Sequence, residues 1–269
     1  MIEQLKQGFL EKLSRLPKPF YGLFLTWVIR LKRWPTLVID EGSRVKVKEG
    51  QNEIQICERN RVTLYLAGIE NRLKELARQY CLEKVKFREG DIFVDCGANI
   101  GELGVYLSRL ECQVRYIAFE PGSEEKECCE KNNTDSEVIG KALWKDVREL
   151  RFFMKSDTAD SSVFEPEGAT EEVRVSAVSL DRYFEQESLD QVRLLKVEAE
   201  GAEPEVLEGA EKSLPAIDYV VVDVGPERGI SKENTIAPVC NFLFQRGFQL
   251  VEATTGRSVF LFENTRKSR

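Results

Sequence analysis

The sequence contains no histidine. That absence removes the side chain that most often acts as a general base and the one that most often binds a metal ion. The chain has seven cysteines, but they form no C-x-x-C pair and no spacing typical of a zinc site. An odd number of such cysteines predicts reduced thiols in a cytoplasmic protein and argues against a disulfide framework.

Basic residues are also fewer than acidic residues. The 269 residues include 39 basic and 46 acidic side chains, which gives a net charge of −7. A protein that binds nucleic acid through its overall field carries a basic surface, so this composition argues against a nucleic-acid partner. The length, together with 42% hydrophobic residues, is sufficient for one large α/β domain and an extension.

Basic residues are concentrated in residues 1–34, which carry seven of them against two acidic residues, a local charge of +5. Within this segment Phe20 to Ile29 is an uncharged run of ten residues, which is too short to span a bilayer. We expect a helical extension, and two interpretations of it stay open. It packs against the protein's own domain or a second subunit, or it lies on an anionic membrane surface with Trp27 and Trp34 at the interface.

Residues 35–90 have a mixed pattern, and we interpret them as a cover that precedes the main domain at residues 91–269. Three short segments of alternating polarity predict half-buried strands joined by glycine-containing turns. Glu70 to Tyr80 follows the helical period. We expect such a cover to close over the cofactor and to shape the acceptor pocket.

The stretch from Asp91 to Tyr106 organises the main domain. Its apolar residues at 92–94 predict a buried strand, Asp95 stands where that strand ends, and glycines follow at positions 97, 101 and 104. An apolar helical pattern begins at Ile100. A strand, a glycine turn and a helix in this order predict a nucleotide-type site, because the turn lets a ligand approach bare backbone at a helix N-terminus.

The glycine spacing distinguishes between ligands. Asn99 and Glu102 occupy the second and third glycine positions of the dinucleotide fingerprint, and Glu102 also replaces the lysine of a P-loop. Asp95 and Glu102 would repel a polyphosphate and favour a ligand with positive charge, such as S-adenosylmethionine. Glu120 ends the next predicted strand, 25 positions after Asp95, where an acidic residue binds both ribose hydroxyls. The alternative is an ordinary strand-turn-helix with a polar rim.

Four stretches resemble the FkbM family of S-adenosylmethionine-dependent methyltransferases. The resemblance covers roughly residues 91–228. The family has aspartate where this chain has Glu198 and valine where it has Ala199, so the carboxylate at position 198 is carried on a longer side chain. The four stretches are Asp95 to Gly101 (DCGANIG), Ala118 to Pro121 (AFEP), Leu194 to Glu203 (LLKVEAEGAE) and Val220 to Arg228 (VVVDVGPER).

The resemblance implies S-adenosylmethionine as the cofactor and O-methylation as the reaction. The acceptor would be a small molecule or glycan that carries a hydroxyl, either on a sugar in a glycolipid or polysaccharide or on a secondary metabolite. The residues of this sequence that we expect at the cofactor, the last of them beside the adenine ring, are Asp95, Gly97, Asn99, Gly101, Glu120 and Ala142.

The C-terminal part of the chain carries separate information on the fold. Residues 248–252 and 258–262 are two predicted strands joined by five residues. So short a connection requires an antiparallel hairpin, because a parallel pair needs a crossover of a dozen or more residues. We therefore predict an α/β fold of the class I methyltransferase type. It is a doubly wound, Rossmann-like sheet with a C-terminal antiparallel hairpin, preceded by an N-terminal helical and β extension.

Catalysis requires a group that accepts the proton of an alcohol, since the sulfonium methyl is already electrophilic. Ligands of an open α/β sheet bind beyond the carboxyl ends of its strands, and acidic residues follow the predicted fourth and fifth strands. We predict that Glu198 or Glu200 is the base, because crowded carboxylates raise one another's pKa. Lys196 and Asp223 would organise the pocket. The carboxylates could instead bind Mg2+, or Glu200 and Glu203 could charge the next helix N-terminus.

Two other classes of function stay open at this point. The protein could bind S-adenosylmethionine without turnover, as a regulatory or scaffold subunit, given the departure at Glu198 and the missing histidine. It could also be an NAD-dependent oxidoreductase, although both the glycine spacing and the terminal hairpin count against that class.

Overall fold

The computed structural model describes residues 35–40, 44–154, 161–166, 168–254 and 257–267. The predicted basic extension at residues 1–34 lies outside these ranges. The described residues form one seven-stranded sheet and two three-stranded sheets. All seven cysteines are free thiols. No helix in the described ranges combines the length and the apolar character that a membrane span requires.

The three strands and the helix predicted between residues 35 and 90 are present. The strands form an antiparallel sheet, and a 3-10-helical turn at Arg59–Tyr65 precedes the helix. Apolar side chains from these elements pack in one buried cluster with Ile100 and Val105, so this segment is packed on the main domain. Its elements are β1 (Leu37–Asp40), β2 (Val45–Glu49), β3 (Asn52–Ile56) and α1 (Ile69–Gln79).

The main sheet has five neighbouring parallel strands, followed at one side by a strand that runs antiparallel to both of its neighbours. This arrangement confirms the predicted class I methyltransferase fold with its C-terminal hairpin. Numbered along the chain and given in order across the sheet, the strands are β12 (Phe248–Ala253), β13 (Val259–Asn264), β11 (Ile217–Asp223), β10 (Val192–Val197), β4 (Ile92–Cys96), β5 (Arg115–Phe119) and β6 (Glu137–Ile139).

Helices cover both faces of this sheet. Alternate residues along a strand point to opposite faces, so both sets are buried and the central strands are apolar nearly throughout. Val94 and Val197 belong to the core on one face, whereas Phe93 and Leu194 belong to the core on the other. The first face packs against α4 (Leu180–Glu187), α5 (Glu203–Glu208) and α6 (Ile236–Gln245), and the second against α1, α2 (Glu102–Leu107) and α3 (Ser123–Asn132).

Two features differ from the sequence prediction. The sequence between the predicted fourth and fifth strands also predicts one crossover helix over residues 204–214, and this prediction is wrong because α5 ends at Glu208. A Cβ at Gly209 would lie 2.1 Å from the carbonyl oxygen of Trp144, so the chain turns there through a close contact that only glycine allows. A side sheet, in the order β7-β9-β8, is also present beside the main one. Its strands are β7 (Ala142–Leu143), β8 (Arg148–Met154) and β9 (Glu171–Val178).

Candidate cofactor and acceptor site

A cavity of about 210 Å³ lies at the carboxyl ends of β4, β5 and β10, where open α/β sheets bind their ligands. Its walls come from the glycine turn after β4, the end of β5, the side sheet and the turn after β10. The segment before the main domain contributes four further side chains. They are Arg61, Arg72, Leu76 and Tyr80.

The glycine turn lines one side of this cavity. Gly97 and Asn99 have φ angles of +76° and +50°, and both lie on the cavity wall. A Cβ at Gly97 would stand 2.1 Å from the carbonyl oxygen of Glu198, so glycine is needed there for the close approach of β4 and the turn after β10. Gly101 does not line the cavity. It packs against α3, where its Cβ would lie 2.2 Å from Nδ2 of Asn133.

Glu120 is buried at the end of β5 and also lines the cavity. Its Oε2 accepts a hydrogen bond from the backbone N–H of Asn99 at 2.8 Å, and its Oε1 accepts one from Gly122 at 2.8 Å. Burial raises the pKa of this carboxyl to about 7, although both N–H groups oppose that change. Each oxygen keeps a lone pair for a further donor, such as a ribose hydroxyl. Ala142 stands on the same wall.

Lys196 joins the two strands at the centre of the site. It lies directly opposite Asp95 in the pairing of β10 with β4, and both side chains are buried. Its Nζ is 3.0 Å from Oδ1 of Asp95 and 2.9 Å from Oε2 of Glu198, and it donates to the carbonyl oxygen of Gly97 at 2.7 Å. Burial opposes its charge, but the two carboxylates raise the pKa of Lys196 above its usual range.

Arg257 extends this series of ion pairs to the next strand. Its guanidinium contacts the carboxylate of Glu198, and its Nε lies 2.5 Å from Oδ2 of Asp223 at the end of β11. Despite burial, Lys196 and Arg257 lower the pKa of Glu198 to about 2. The expected upward shift is therefore wrong for Glu198, because two cations outweigh its acidic neighbours. An upward shift does occur at Asp223, whose pKa is raised to about 6 by burial and by the charge of Glu198.

Glu102 does not present the free negative charge that the sequence suggested. Arg72 donates to it through Nε at 2.7 Å and Nη2 at 3.1 Å, and the hydroxyl of Tyr65 donates at 2.6 Å. Burial opposes ionisation of Glu102, but these contacts lower its pKa. Its charge is therefore balanced inside the protein and cannot be the reason that the site prefers a cationic ligand.

The turn after β10 presents Glu200 to the cavity. Glu200 has a φ angle of +47°, which non-glycine residues rarely adopt, and Gly201 follows with +95°. The buried carboxylate of Glu203 holds this turn, since its Oε1 accepts the N–H groups of Ala199 at 3.1 Å and Gly201 at 3.0 Å. Ser162 also donates to the carbonyl oxygen of Glu200 at 2.8 Å. Glu203 stands in the first turn of α5, as the alternative prediction had it, but α5 has no side-chain cap hydrogen bond, and the observed role of Glu203 is to hold the preceding turn.

A family model of the methyltransferase FkbM domain matches residues 95–250 of this sequence, which is more than half of the chain. The chain belongs to the FkbM methyltransferase family. Methyltransferase 1 of Beauveria bassiana (strain ARSEF 2860) is 28% identical over 182 residues, and the match covers 58% of this chain and 73% of that protein. This assignment selects an S-adenosylmethionine-dependent methyltransferase over an NAD-dependent oxidoreductase.

Solved structures with a similar fold include a methyltransferase and a complex with S-adenosylhomocysteine. A TehB-like S-adenosylmethionine-dependent methyltransferase from Corynebacterium glutamicum ATCC 13032 Kitasato matches 73% of this chain and 96% of its own, with 14% identity and a TM-score of 0.40. M. capricolum TrmK, solved with the cofactor product S-adenosylhomocysteine, matches 72% of this chain and 68% of its own, with 9% identity and a TM-score of 0.40.

The residues of this FkbM-family enzyme fit S-adenosylmethionine. Oδ1 of Asp95 is buried and makes no hydrogen bond within the described residues, since its contact with Lys196 is an ion pair without hydrogen-bond geometry. It can therefore accept a hydrogen bond from the cofactor's ammonium group. Glu120 offers free lone pairs to the ribose, and the bare backbone of Gly97 allows close approach.

The same residues do not fit Mg2+. Within the described ranges, no three cysteine, aspartate or glutamate side chains are grouped so that they could hold a metal ion. The carboxylates of Asp95, Glu198 and Asp223 do lie along one edge of the sheet. However, Lys196 and Arg257 stand between them and use the oxygens that a magnesium ion would need.

Sequence reasoning missed the basic and aromatic residues of the FkbM-family site. Arg257 lies in the hairpin loop beside the strand ends. Because the hairpin and the carboxylates at the strand ends were both predicted, a basic residue in this loop was a signal that could have been used. Tyr80 carried no such signal, because it belongs to the segment that precedes the main domain. Its ring centre lies 5.2 Å from Nζ of Lys196 and 5.2 Å from Cζ of Arg257. This geometry is favourable for cation–π contacts with both.

Proposed function

We propose that this enzyme methylates a hydroxyl group of a sugar in a glycolipid or polysaccharide, or of a secondary metabolite, with Glu200 as the proton acceptor. The observation that carries this proposal is the position of Glu200 on the cavity wall. Glu200 lines the cavity on a turn that other residues hold in place. Glu198 is ion-paired with two cations, so it is a poor proton acceptor at neutral pH.

The turn at Glu200 has the properties of a preorganised catalytic loop. A positive φ angle at a non-glycine residue stores strain, which persists only where the surrounding contacts impose it. Here Glu203, Ser162 and Arg228 impose it, the last by donating to the carbonyl oxygen of Gly201 at 2.9 Å. The backbone that carries the base therefore does not have to rearrange when an acceptor hydroxyl approaches.

The ion-paired residues have a different role in this proposal. Bound in the cavity, the cofactor supplies an electrophilic methyl group on its sulfonium. Lys196 and Asp223 organise the pocket through their contacts with Glu198 and Arg257, which keep the charges at the strand ends in one arrangement. Such a preorganised electrostatic environment need not rearrange during the reaction.

An apolar wall beside the acidic turn supports a hydroxylated acceptor that also has carbon surface. Phe152 and Met154 of β8 and the neighbouring Val163 line the cavity near Ala199 and Ala142. A sugar ring or a secondary metabolite has both hydroxyl groups and C–H faces, so it can contact this wall while its hydroxyl reaches Glu200. We infer a glycan or small-molecule partner and no nucleic acid, in keeping with the net charge of −7.

The location of the enzyme is a separate proposal. We infer a cytoplasmic protein with peripheral membrane contact or a homodimer contact through residues 1–34, because that segment combines a charge of +5 with an aromatic-rich run. Co-sedimentation with vesicles that contain anionic lipid, and light scattering in their absence, distinguish the two contacts. Removal of residues 1–34 should abolish whichever one is present.

Replacement of Glu200 tests the proposed base. The Glu200→Gln variant should lose about 100-fold or more in kcat, the range expected for a general base, while S-adenosylhomocysteine binds as before. Methyl transfer from labelled S-adenosylmethionine to a panel of sugar, glycolipid and polyketide hydroxyls would measure this. Glu208→Gln is the matched control, because Glu208 ends α5 on the exposed surface. Full turnover by Glu200→Gln would refute the assignment.

A second candidate function is favoured by the pairing of Glu198 with Lys196 and Arg257. If the protein binds S-adenosylmethionine but transfers no methyl group to any acceptor in the panel, it is a regulatory or scaffold protein that uses the fold only for binding. The same panel therefore separates the two candidates.

A further inference from the structure

A cluster of charge lies where the segment before the main domain meets the start of α2. Arg61, in the 3-10-helical turn, and Arg72, in α1, both line the cavity and both face Glu102. Arg72 uses two nitrogens on Glu102, and the hydroxyl of Tyr65 donates to the same carboxylate. Arg61 is held less closely, with its Nη2 at 3.6 Å from Oε2 of Glu102. The two guanidinium groups thus share one carboxylate.

Arg61 keeps unused hydrogen-bonding capacity. Its Nε is buried and has no hydrogen-bond partner within the described part of the chain. A guanidinium group has five N–H donors, and a buried one without an acceptor is unfavourable. Burial opposes its charge, but Glu102, with a smaller contribution from Glu58, raises the pKa of Arg61, so it stays a cation. The arrangement is that of a site prepared for an anion.

The other cations on the cavity wall are already engaged. Among the described residues that line it, Lys196 contacts Asp95 and Glu198, and Arg257 contacts Glu198 and Asp223. Arg72 donates two hydrogen bonds to Glu102. Of these side chains, Arg61 is therefore the one with a buried donor left for a ligand.

We infer that Arg61 binds the carboxylate of the methionine part of S-adenosylmethionine. The cofactor carries an ammonium and a carboxylate on the same carbon atom, so the group that binds the carboxylate must lie near the group that receives the ammonium. Asp95 lies near the end of β4, just before the turn at residues 97–101, and Glu102, with Arg61 against it, is the first residue of α2 after that turn. The carboxylate of Glu120 touches the middle of the turn at Asn99, where the ribose is expected.

This assignment makes the segment before the main domain part of the cofactor site. The acidic and glycine residues of the main domain would hold the adenosine and the ammonium, and Arg61 would hold the remaining charged group. The inference rests on S-adenosylmethionine as the cofactor and is independent of the acceptor class proposed above.

The test compares ligands with and without the carboxylate. Calorimetric titration would measure the affinity of the full-length protein for S-adenosylmethionine and for decarboxylated S-adenosylmethionine. Arg61→Ala should weaken binding of the first by about 10- to 100-fold, as expected for hydrogen bonds to a charged group, and that of the second by less than about threefold. The unaltered protein should prefer the intact cofactor by a similar factor.

Arg59→Ala is the matched control, since Arg59 lies in the same 3-10-helical turn but does not line the cavity. It should change neither affinity. Retained binding of the decarboxylated ligand also shows that the Arg61 variant is folded. Equal weakening for both ligands, or none for either, would overturn the inference.

Two further outcomes separate this inference from the proposed function. If Arg61→Ala raises the KM of the acceptor while the affinity for S-adenosylmethionine is unchanged, Arg61 binds the acceptor and the inference is wrong. If the carboxylate-dependent loss occurs but no hydroxyl acceptor is methylated, the inference stands and the proposed acceptor class fails.

Discussion

Glu120 and Glu198 each follow a parallel strand of the main sheet and line the same cavity, yet their pKa values move in opposite directions. Burial raises the pKa of Glu120 to about 7. Glu198 is also desolvated, but Lys196 and Arg257 lower its pKa to about 2. Glu120 receives only backbone N–H groups, which carry partial charges, whereas Glu198 contacts two full cations. The protonation state of each glutamate is therefore decided by its hydrogen-bond and ion-pair partners and not by its position at a strand end.

The two regions suit different tasks as a result. The carboxyl of Glu120 can gain or lose a proton near neutral pH and has lone pairs free, which suits hydrogen bonding to hydroxyl groups of a ligand. The ion pairs at the strand ends connect three carboxylates through two cations, which suits a fixed electrostatic framework. These residues are Asp95, Lys196, Glu198, Arg257 and Asp223. Substitutions in each region should therefore have different effects on stability and on its dependence on pH.

Removal of the central cation should produce the largest effect. Lys196→Met leaves the buried carboxylate of Asp95 without its ion pair and Glu198 with only Arg257. We expect the free energy of unfolding at pH 7 to fall by about 3–5 kcal/mol, as for other broken buried pairs. Urea denaturation would measure it.

The control for that substitution is Lys84→Met, which breaks the exposed ion pair of Lys84 with Glu252. It should cost less than about 1 kcal/mol. If both variants lose similar amounts, the charge chain at the strand ends is no more important for stability than an ordinary surface pair.

Glu120→Gln should produce the next largest effect on the free energy of unfolding. This effect should depend on pH. The pKa of Glu120 is about 7 in the folded protein against 4.5 as its ordinary value. The folded state therefore binds this proton more tightly, and ionisation lowers the free energy of unfolding as pH rises from about 4.5 to 7. The difference of 2.5, at about 1.4 kcal/mol for each pKa unit, corresponds to roughly 3–4 kcal/mol.

Urea denaturation of the two proteins between pH 4.5 and 8 would measure that difference. The unaltered protein should lose stability relative to Glu120→Gln over this interval, and the two curves should run in parallel above it. Curves that stay parallel throughout would show that the pKa of Glu120 is not raised.

Glu198→Gln should have the smallest effect, with the opposite dependence on pH. Because its pKa is lowered, the carboxylate stabilises the fold above pH 4.5 and loses this contribution as pH falls towards 2. The variant should be less stable by about 1–2 kcal/mol at pH 7, a value reduced because the side chain of Arg257 is 38% exposed. Chemical denaturation at pH 7 and pH 3 would measure it. A larger deficit at pH 3 would contradict the assignment.

Local sequence patterns were sufficient where neighbouring residues decide the structure. The helical period of residues 70–80 predicted α1 to within one residue at each end, and the short final connection required a hairpin. The glycines and carboxylates at the strand ends identified five of the six predicted cofactor residues as cavity residues. The sixth, Gly101, has the special backbone of the turn, but its contact is with α3.

The sequence by itself thus determined the order of strands and helices, the family and the position of the acidic residues, because these depend on local spacing. Only the tertiary structure decided the charge state of those acids. Lys196 meets Asp95 through the register of two strands that are about a hundred residues apart, and Arg257 reaches Glu198 across 59 residues. Desolvation and ion pairing act through space, so no local pattern could show that the pKa of Glu198 is lowered while that of Glu120 is raised.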